Sequence, residues 1–146
     1  MPVGHCRLCD TEGNLQLSHV VPAFLFRWVR KTSGDGFLRM GTAINQRVQD
    51  GSKRHWLCAA CEGLLSRYET AFAEKLFYPY VNNTLHISYE DWLLPFCVSL
   101  SWRVLRFHKE ETDIKQHYSS ESWQRVEEAD AVWRNFLLGK AVHPGR

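Results

Sequence analysis

The sequence predicts an α+β domain, and three observations predict it. Short strand-like pieces are confined to the positions before Cys58, helical apolar spacing dominates from Ala59 onward, and two cysteine pairs share one spacing, Cys6-Arg7-Leu8-Cys9 and Cys58-Ala59-Ala60-Cys61. The 146 residues are 45% hydrophobic and 23% charged, a composition that excludes disorder and collagen-like structure. A chain of this length buries about 68–70% of the surface its unfolded form exposes, so it builds a core without staples. A bound metal or a disulfide therefore needs a reason other than small size.

The elements follow in order. Asp10-Thr11-Glu12-Gly13-Asn14 has turn chemistry, and Leu15-Gln16-Leu17-Ser18 alternates like a short strand, which leaves His19 at a strand end. Pro22 suits a first helical turn, so a helix is expected from Pro22 to Lys31, burying Phe24, Leu25 and Trp28 and ending in Thr32–Gly36. Phe37–Met40 and Ile44–Val48 read as strands. Leu65, Tyr68, Phe72 and Leu76 recur at helical spacing, which predicts a helix from Ala59 that stops before Pro79. Ser88-Tyr89-Glu90-Asp91 resembles a capping box opening a helix to Phe107, with a kink at Pro95. Lys109–Gln116 reads as a polar linker. Ser120 is placed as the cap of a last helix, with Trp123, Val126, Trp133 and Leu137 inward and Gly139 at its end. The division expected is residues 1–80, carrying the cysteines, and residues 81–146, a helical extension packed on them in one compact domain, with room for a further domain or a partner protein beyond.

No stretch reaches the roughly 18–20 uninterrupted apolar residues of a membrane span, because Arg27 and Arg30 break one apolar run and Arg103 and Arg106 the other. No apolar segment precedes Cys6, so a signal peptide is not expected and the compartment read from the sequence is the cytoplasm, where thiols stay reduced. In that compartment two Cys-x2-Cys pairs point to a four-thiolate zinc site on Cys6, Cys9, Cys58 and Cys61. A c-type haem would need His after a pair, where Asp10 and Glu62 stand, and a zinc deaminase would need His-x-Glu, which His19-Val20-Val21 does not supply. Cys97, inside the apolar run Leu93–Leu105, is expected to be a buried core thiol.

The net charge of +2 hides an uneven distribution. Over residues 20–57, Arg27, Arg30, Lys31, Arg39, Arg47, Lys53 and Arg54 stand against only Asp35 and Asp50, a basic insert suited to nucleic-acid phosphates or, more plainly, a solvated surface. The six tryptophans fit helical apolar faces and are expected in the core.

The order Cys-x2-Cys, strand, Ser18-His19-Val20-Val21-Pro22, basic insert, Leu57-Cys58-x2-Cys61-Glu62, helix resembles the HNH endonucleases, in particular the branch whose ββα-metal core sits within a zinc-bound treble clef. The aromatic-rich remainder, with Tyr89-x-x-Trp92-Leu93 and Ser99-Leu100-Ser101-Trp102-Arg103, resembles a bacterial subgroup of HNH-like proteins. The resemblance implies cleavage of DNA, RNA not excluded, with His19 as general base and Glu62 with Ser18 holding a catalytic Mg²⁺ or Mn²⁺. The basic insert, notably Arg27, Arg30, Lys31, Arg47, Lys53 and Arg54, would grip phosphates. The chain departs from the family pattern at three points. Ser18 stands where Asp is usual, Glu62 where His is usual, and Lys53 where the middle Asn commonly sits, leaving His55, Asn45 and Gln49 as candidates to orient the base. A carboxylate suits Mg²⁺ at least as well as an imidazole. The alternative is a non-catalytic zinc module that binds nucleic acid or a protein partner, with His19 bonding a loop and Glu62 serving only as a negative charge near a helix N-terminus.

Overall fold

The computed structural model describes residues 1–111 and 113–145. It is a mixed α/β structure, 51% helix and 17% strand. Strands β1 (Val3–His5) and β2 (Glu12–Asn14) pair antiparallel and flank the first cysteine pair. Only turn chemistry was expected there, since three-residue strands such as Val3-Gly4-His5 carry no alternation to read. The turn between them is tied by Cys6 N–H donating to the Thr11 carbonyl at 3.0 Å and Asp10 N–H to the Cys6 carbonyl at 2.8 Å, with Asp10 at φ 67°.

Strand β3 (Gln16–His19) pairs antiparallel with β6 (Lys53–Leu57), His19 opposite Lys53. Between them lie α1 (Ala23–Thr32) and a hairpin of β4 (Leu38–Met40) and β5 (Ala43–Val48). Of the three residues expected to be buried in α1, Phe24 is, while Leu25 and Trp28 are half-buried. The β5–β6 turn is held against the β3–α1 link by Val20 N–H donating to the Ser52 carbonyl at 3.0 Å. Gly51 lies against Phe26 so closely that a Cβ there would land on the ring, which fixes the position of its neighbour Asp50.

The second cysteine pair opens α2 (Ala59–Phe72), followed by a π-helical turn (Ala73–Phe77) and the short α3 (Tyr78–Val81). The helical path thus passes Pro79 instead of stopping before it. The π turn changes the register so that Pro79 falls in the first turn of α3, where no amide hydrogen is needed. Helix α4 (Leu93–Glu110) starts later than the expected capping box, with Trp92 before it and no side-chain cap. Pro95 consequently sits in the first turn and is no interior kink, and the expected linker begins two residues too early, since Lys109 and Glu110 are helical. Cys97 is exposed, not buried: three- and four-residue spacing places it with Leu94 and Ser101 on the outer face, opposite Phe96, Ser99, Trp102 and Arg103. A 3₁₀ turn (Ile114–His117) precedes α5 (Ser120–Leu137), whose cap is Ser119, one residue before the expected position, accepting from Ser122 N–H at 3.1 Å.

One core joins both halves of the chain. Leu8, Leu15, Trp56, Leu57 and Leu65 pack with Val98 and Trp102 of α4 and Leu137 of α5. Each such large side chain contributes about 1.5–3 kcal/mol when fully buried. Trp56, Trp92 and Trp102 are buried, whereas Trp28, Trp123 and Trp133 are half-buried. A second cluster is aromatic, with Phe72 stacked on Phe96 at 3.9 Å between ring centres and Phe24 against Phe77 at 5.2 Å. Trp102 Nε1–H donates to buried Asp130 at 2.8 Å, and Asp130 in turn pairs with Lys109 at 2.6 Å and Arg106 at 3.3 Å, a lock between α4 and α5. Among the described residues, no helix is long and apolar enough to cross a membrane.

Candidate metal centre and the adjoining cleft

The β1–β2 turn and the N-terminus of α2 bring Cys6, Cys9, Cys58 and Cys61 together, their sulfurs all within 4.8 Å of one another. Cys9 and Cys58 Sγ stand 3.8 Å apart. Tetrahedral coordination at a zinc–sulfur distance of about 2.3 Å separates the sulfurs by about 3.8 Å, so the four thiols fit such an ion. Arg7 N–H donating to the Trp56 carbonyl at 2.7 Å clamps the first pair against the strand that leads into the second.

The electrostatics fit as well. Burial pushes the Cys6 thiol up, and burial together with the neighbouring Cys9 and Cys6 pushes Cys61 up further. Burial also opposes ionisation of Cys9, but hydrogen bonds with the Thr11 side chain and backbone, and with Cys6 and Cys61, outweigh it and lower this thiol to about 6. One thiolate forms easily in this cluster and four cannot without a cation among them. Four cysteines so placed could hold a metal such as zinc.

Ser18 and Glu62 meet directly. Fully buried Ser18 donates through Oγ to Glu62 Oε2 at 2.5 Å, joining β3 to the first turn of α2. His19 turns elsewhere: its Nε2 lies 3.0 and 2.9 Å from the two oxygens of Asp50. Since a carboxylate only accepts, Nε2 donates to it, and in the neutral ring Nδ1 then carries the lone pair. Asp50 is also bound by Lys53 Nζ at 2.6 Å and by the Gly51 amide at 2.9 Å. Burial opposes its charge, but these partners and His19 outweigh that and lower the carboxyl to about 2, so Asp50 is a firm anion.

His19 and Glu62 nonetheless line one cleft of about 380 Å³ between α1 and α2, with Arg27, Glu69 and Tyr78. Arg103 of α4, only 2% exposed, lies behind these residues: its Nη1 donates to the His19 carbonyl at 3.1 Å and pairs with Glu69 at 2.5 Å. Thus α4 fixes the backbone of the histidine across 84 sequence positions. Outside the four cysteines, no three His, Cys, Asp or Glu donors gather around one point among the described residues.

The expected orienting residues do not orient His19. His55 is exposed and its Nδ1 lies 3.3 Å from the Leu15 carbonyl, and Asn45 and Gln49 are exposed on or beside β5. Asp50 holds the ring and Arg103 the backbone. Asp50 was within reach of the sequence, as the acid of an Asp-Gly turn next to Gln49. Arg103 was not, because nothing in the spacing ties α4 to β3.

The basic insert divides. Lys53 is spent on Asp50, Arg54 on Glu111 at 3.5 Å and the Phe107 ring, Arg39 on Asp35 at 2.9 Å, and Arg30 on the Gly36 and Gln49 carbonyls. Arg47 lies over the Phe37 ring. Arg27 and Lys31 have no ionic or side-chain hydrogen-bond partner among the described residues. Arg27 alone of the insert lines the His19–Glu62 cleft.

No family model, no curated protein and no solved structure matches this chain.

Proposed function

We propose that the chain is an HNH-like nuclease that hydrolyses phosphodiester bonds of DNA, built on a treble clef whose zinc sits on Cys6, Cys9, Cys58 and Cys61. The observation that carries the reading is the convergence of His19 and Glu62 on one cleft beside an unpaired cation, Arg27. His19, held by Asp50 through Nε2, presents Nδ1 as the base that takes a proton from water, and imidazole is the side chain whose basicity suits that task near neutrality. Glu62, steadied by Ser18, offers hard oxygen to Mg²⁺ or Mn²⁺, ions that need only one or two protein carboxylates when water and a phosphate complete the shell. Bound there, such an ion would stabilise charge on the phosphate and the departing oxygen. Arg27 supplies a phosphate contact at the mouth.

The absence of a three-donor cluster at the cleft among the described residues favours a second reading, a zinc module that binds without cutting. Nicking of supercoiled plasmid in Mg²⁺ or Mn²⁺ separates the two. His19→Ala is expected to lower cleavage by about 10²–10⁴-fold with binding retained, and Glu62→Gln to raise the Mg²⁺ requirement. Absence of wild-type cleavage in either ion, or an unaltered His19→Ala rate, would favour the binding module.

A further inference from the structure

We infer that the surface from the His19–Glu62 cleft across Arg27 and Tyr78 to Lys31 binds a single nucleic-acid strand, its phosphates on Arg27 and Lys31 and an unpaired base on Tyr78. This rests on the reading above that the cleft receives a nucleic-acid phosphate, and it adds which form of nucleic acid is received. Arg27 and Tyr78 line both that cleft and an adjoining one of about 430 Å³ that contains Lys31 and Trp28, so the two hollows form one continuous track. Four residues apart on α1, Arg27 and Lys31 stand on one face about 5–6 Å apart at Cβ. Both are free of internal anions among the described residues, whereas Lys53 and Arg54 are not.

The aromatic component decides between one strand and two. Tyr78 is 38% exposed, yet its ring is braced edge-on by Phe77 at 5.5 Å and Phe24 at 6.3 Å, and Trp28 is likewise braced by Phe77 at 5.5 Å. Tyr80, 59% exposed, follows on the same short helix. A rigid, half-exposed ring that shares one hollow with two unpaired cations, Arg27 and Lys31, offers a stacking platform next to positive charge, the combination that holds single strands. In a duplex each base face is already covered by its neighbours, so Tyr78 would have nothing to stack on.

The test is fluorescence anisotropy of the full zinc-loaded chain without added Mg²⁺, using labelled oligothymidine and a hairpin duplex of equal nucleotide count. The single strand is expected to bind more tightly. Tyr78→Ala should weaken that binding by about 5- to 100-fold and leave the duplex nearly unaffected, while Tyr78→Phe, which keeps the ring and its packing, should bind as wild type. Arg27→Ala with Lys31→Ala, both exposed, should flatten the slope of log K against log salt by about 0.7 per lost contact on the single strand. Equal or tighter duplex binding, or an unaltered Tyr78→Ala affinity, would overturn the inference. Binding as expected, with neither the plasmid nor the oligothymidine cleaved in Mg²⁺ or Mn²⁺, would sink the nuclease reading and leave this one standing.

Discussion

The cysteine cluster and the His19 cleft meet at the same helical turn, where Cys61 joins the other three sulfurs and its neighbour Glu62 lines the cleft, yet they are built in opposite ways. Each cysteine pair is local, two sulfurs three positions apart aimed by a single turn, and the pairs are brought together by the β3–β6 pairing and by the clamp of Arg7 on Trp56. The cleft takes every component from a different element, with His19 from β3, Asp50 from the β5–β6 turn, Glu62 from α2 and Arg103 from α4. If zinc binds the four sulfurs as proposed, the first site is a condition of folding and the second a product of it. Loss at the cysteines should dismantle the cleft, whereas loss in the cleft should leave the cysteines in place.

Breaking the cysteine end is the largest perturbation. Cys61→Ser, or stripping metal with a chelator, is expected to unfold the N-terminal half, since structural zinc supplies apparent folding free energy of about 10–16 kcal/mol. Metal analysis should find one zinc per chain in the wild type. His19→Ala should still bind zinc and show wild-type circular dichroism, and a His19→Ala chain that loses zinc would end the distinction between the two sites.

The same contrast explains what the sequence disclosed. Paired cysteines, the strand ending at His19 and the helix beginning after Cys58 were legible because each is written in consecutive residues. Glu62 could be placed near His19 only through the resemblance. Asp50 and Arg103, which hold the histidine, were not legible, because hydrogen bonds spanning 31 and 84 positions leave no periodicity. Cys97 was misplaced for a related reason: an apolar run looks buried all round, whereas the helix turns Leu94, Cys97 and Ser101 outward.

A perturbation of middle size probes whether the C-terminal helices serve the cleft alone or both sites. Asp130 is buried, and although burial opposes its charge, the hydrogen bond and charge of Lys109, with Trp102 and Arg106, lower its pKa. A carboxyl lowered on folding adds stability above its unfolded value of about 3.9, and that stability is lost as pH falls through the folded value. Asp130→Ala should cost about 3–5 kcal/mol by leaving Lys109 without its buried partner. In urea unfolding, Asp130→Asn should flatten the acid limb of the stability profile. An unaltered limb would show that other carboxylates control it.

The smallest effect separates the fifth thiol from the other four. Cys97 sits on the outer face of α4, exposed and away from the cluster, so Cys97→Ser removes no buried contact and should alter stability by no more than about 0.5 kcal/mol. Its reactivity is the sharper test. In the zinc-loaded chain the four clustered sulfurs are engaged, and a maleimide should add once, at Cys97, as read by intact mass. After chelation the other four become available, Cys9 first, because it is only half-buried and its thiol is lowered to about 6, making thiolate the main form at neutral pH. Two or more rapid adducts on the zinc-loaded chain would mean that at least one paired cysteine is not a ligand. A single adduct that persists after zinc is removed would mean that the cluster is closed by packing alone, and that the cysteine end, like the cleft, is a product of the fold.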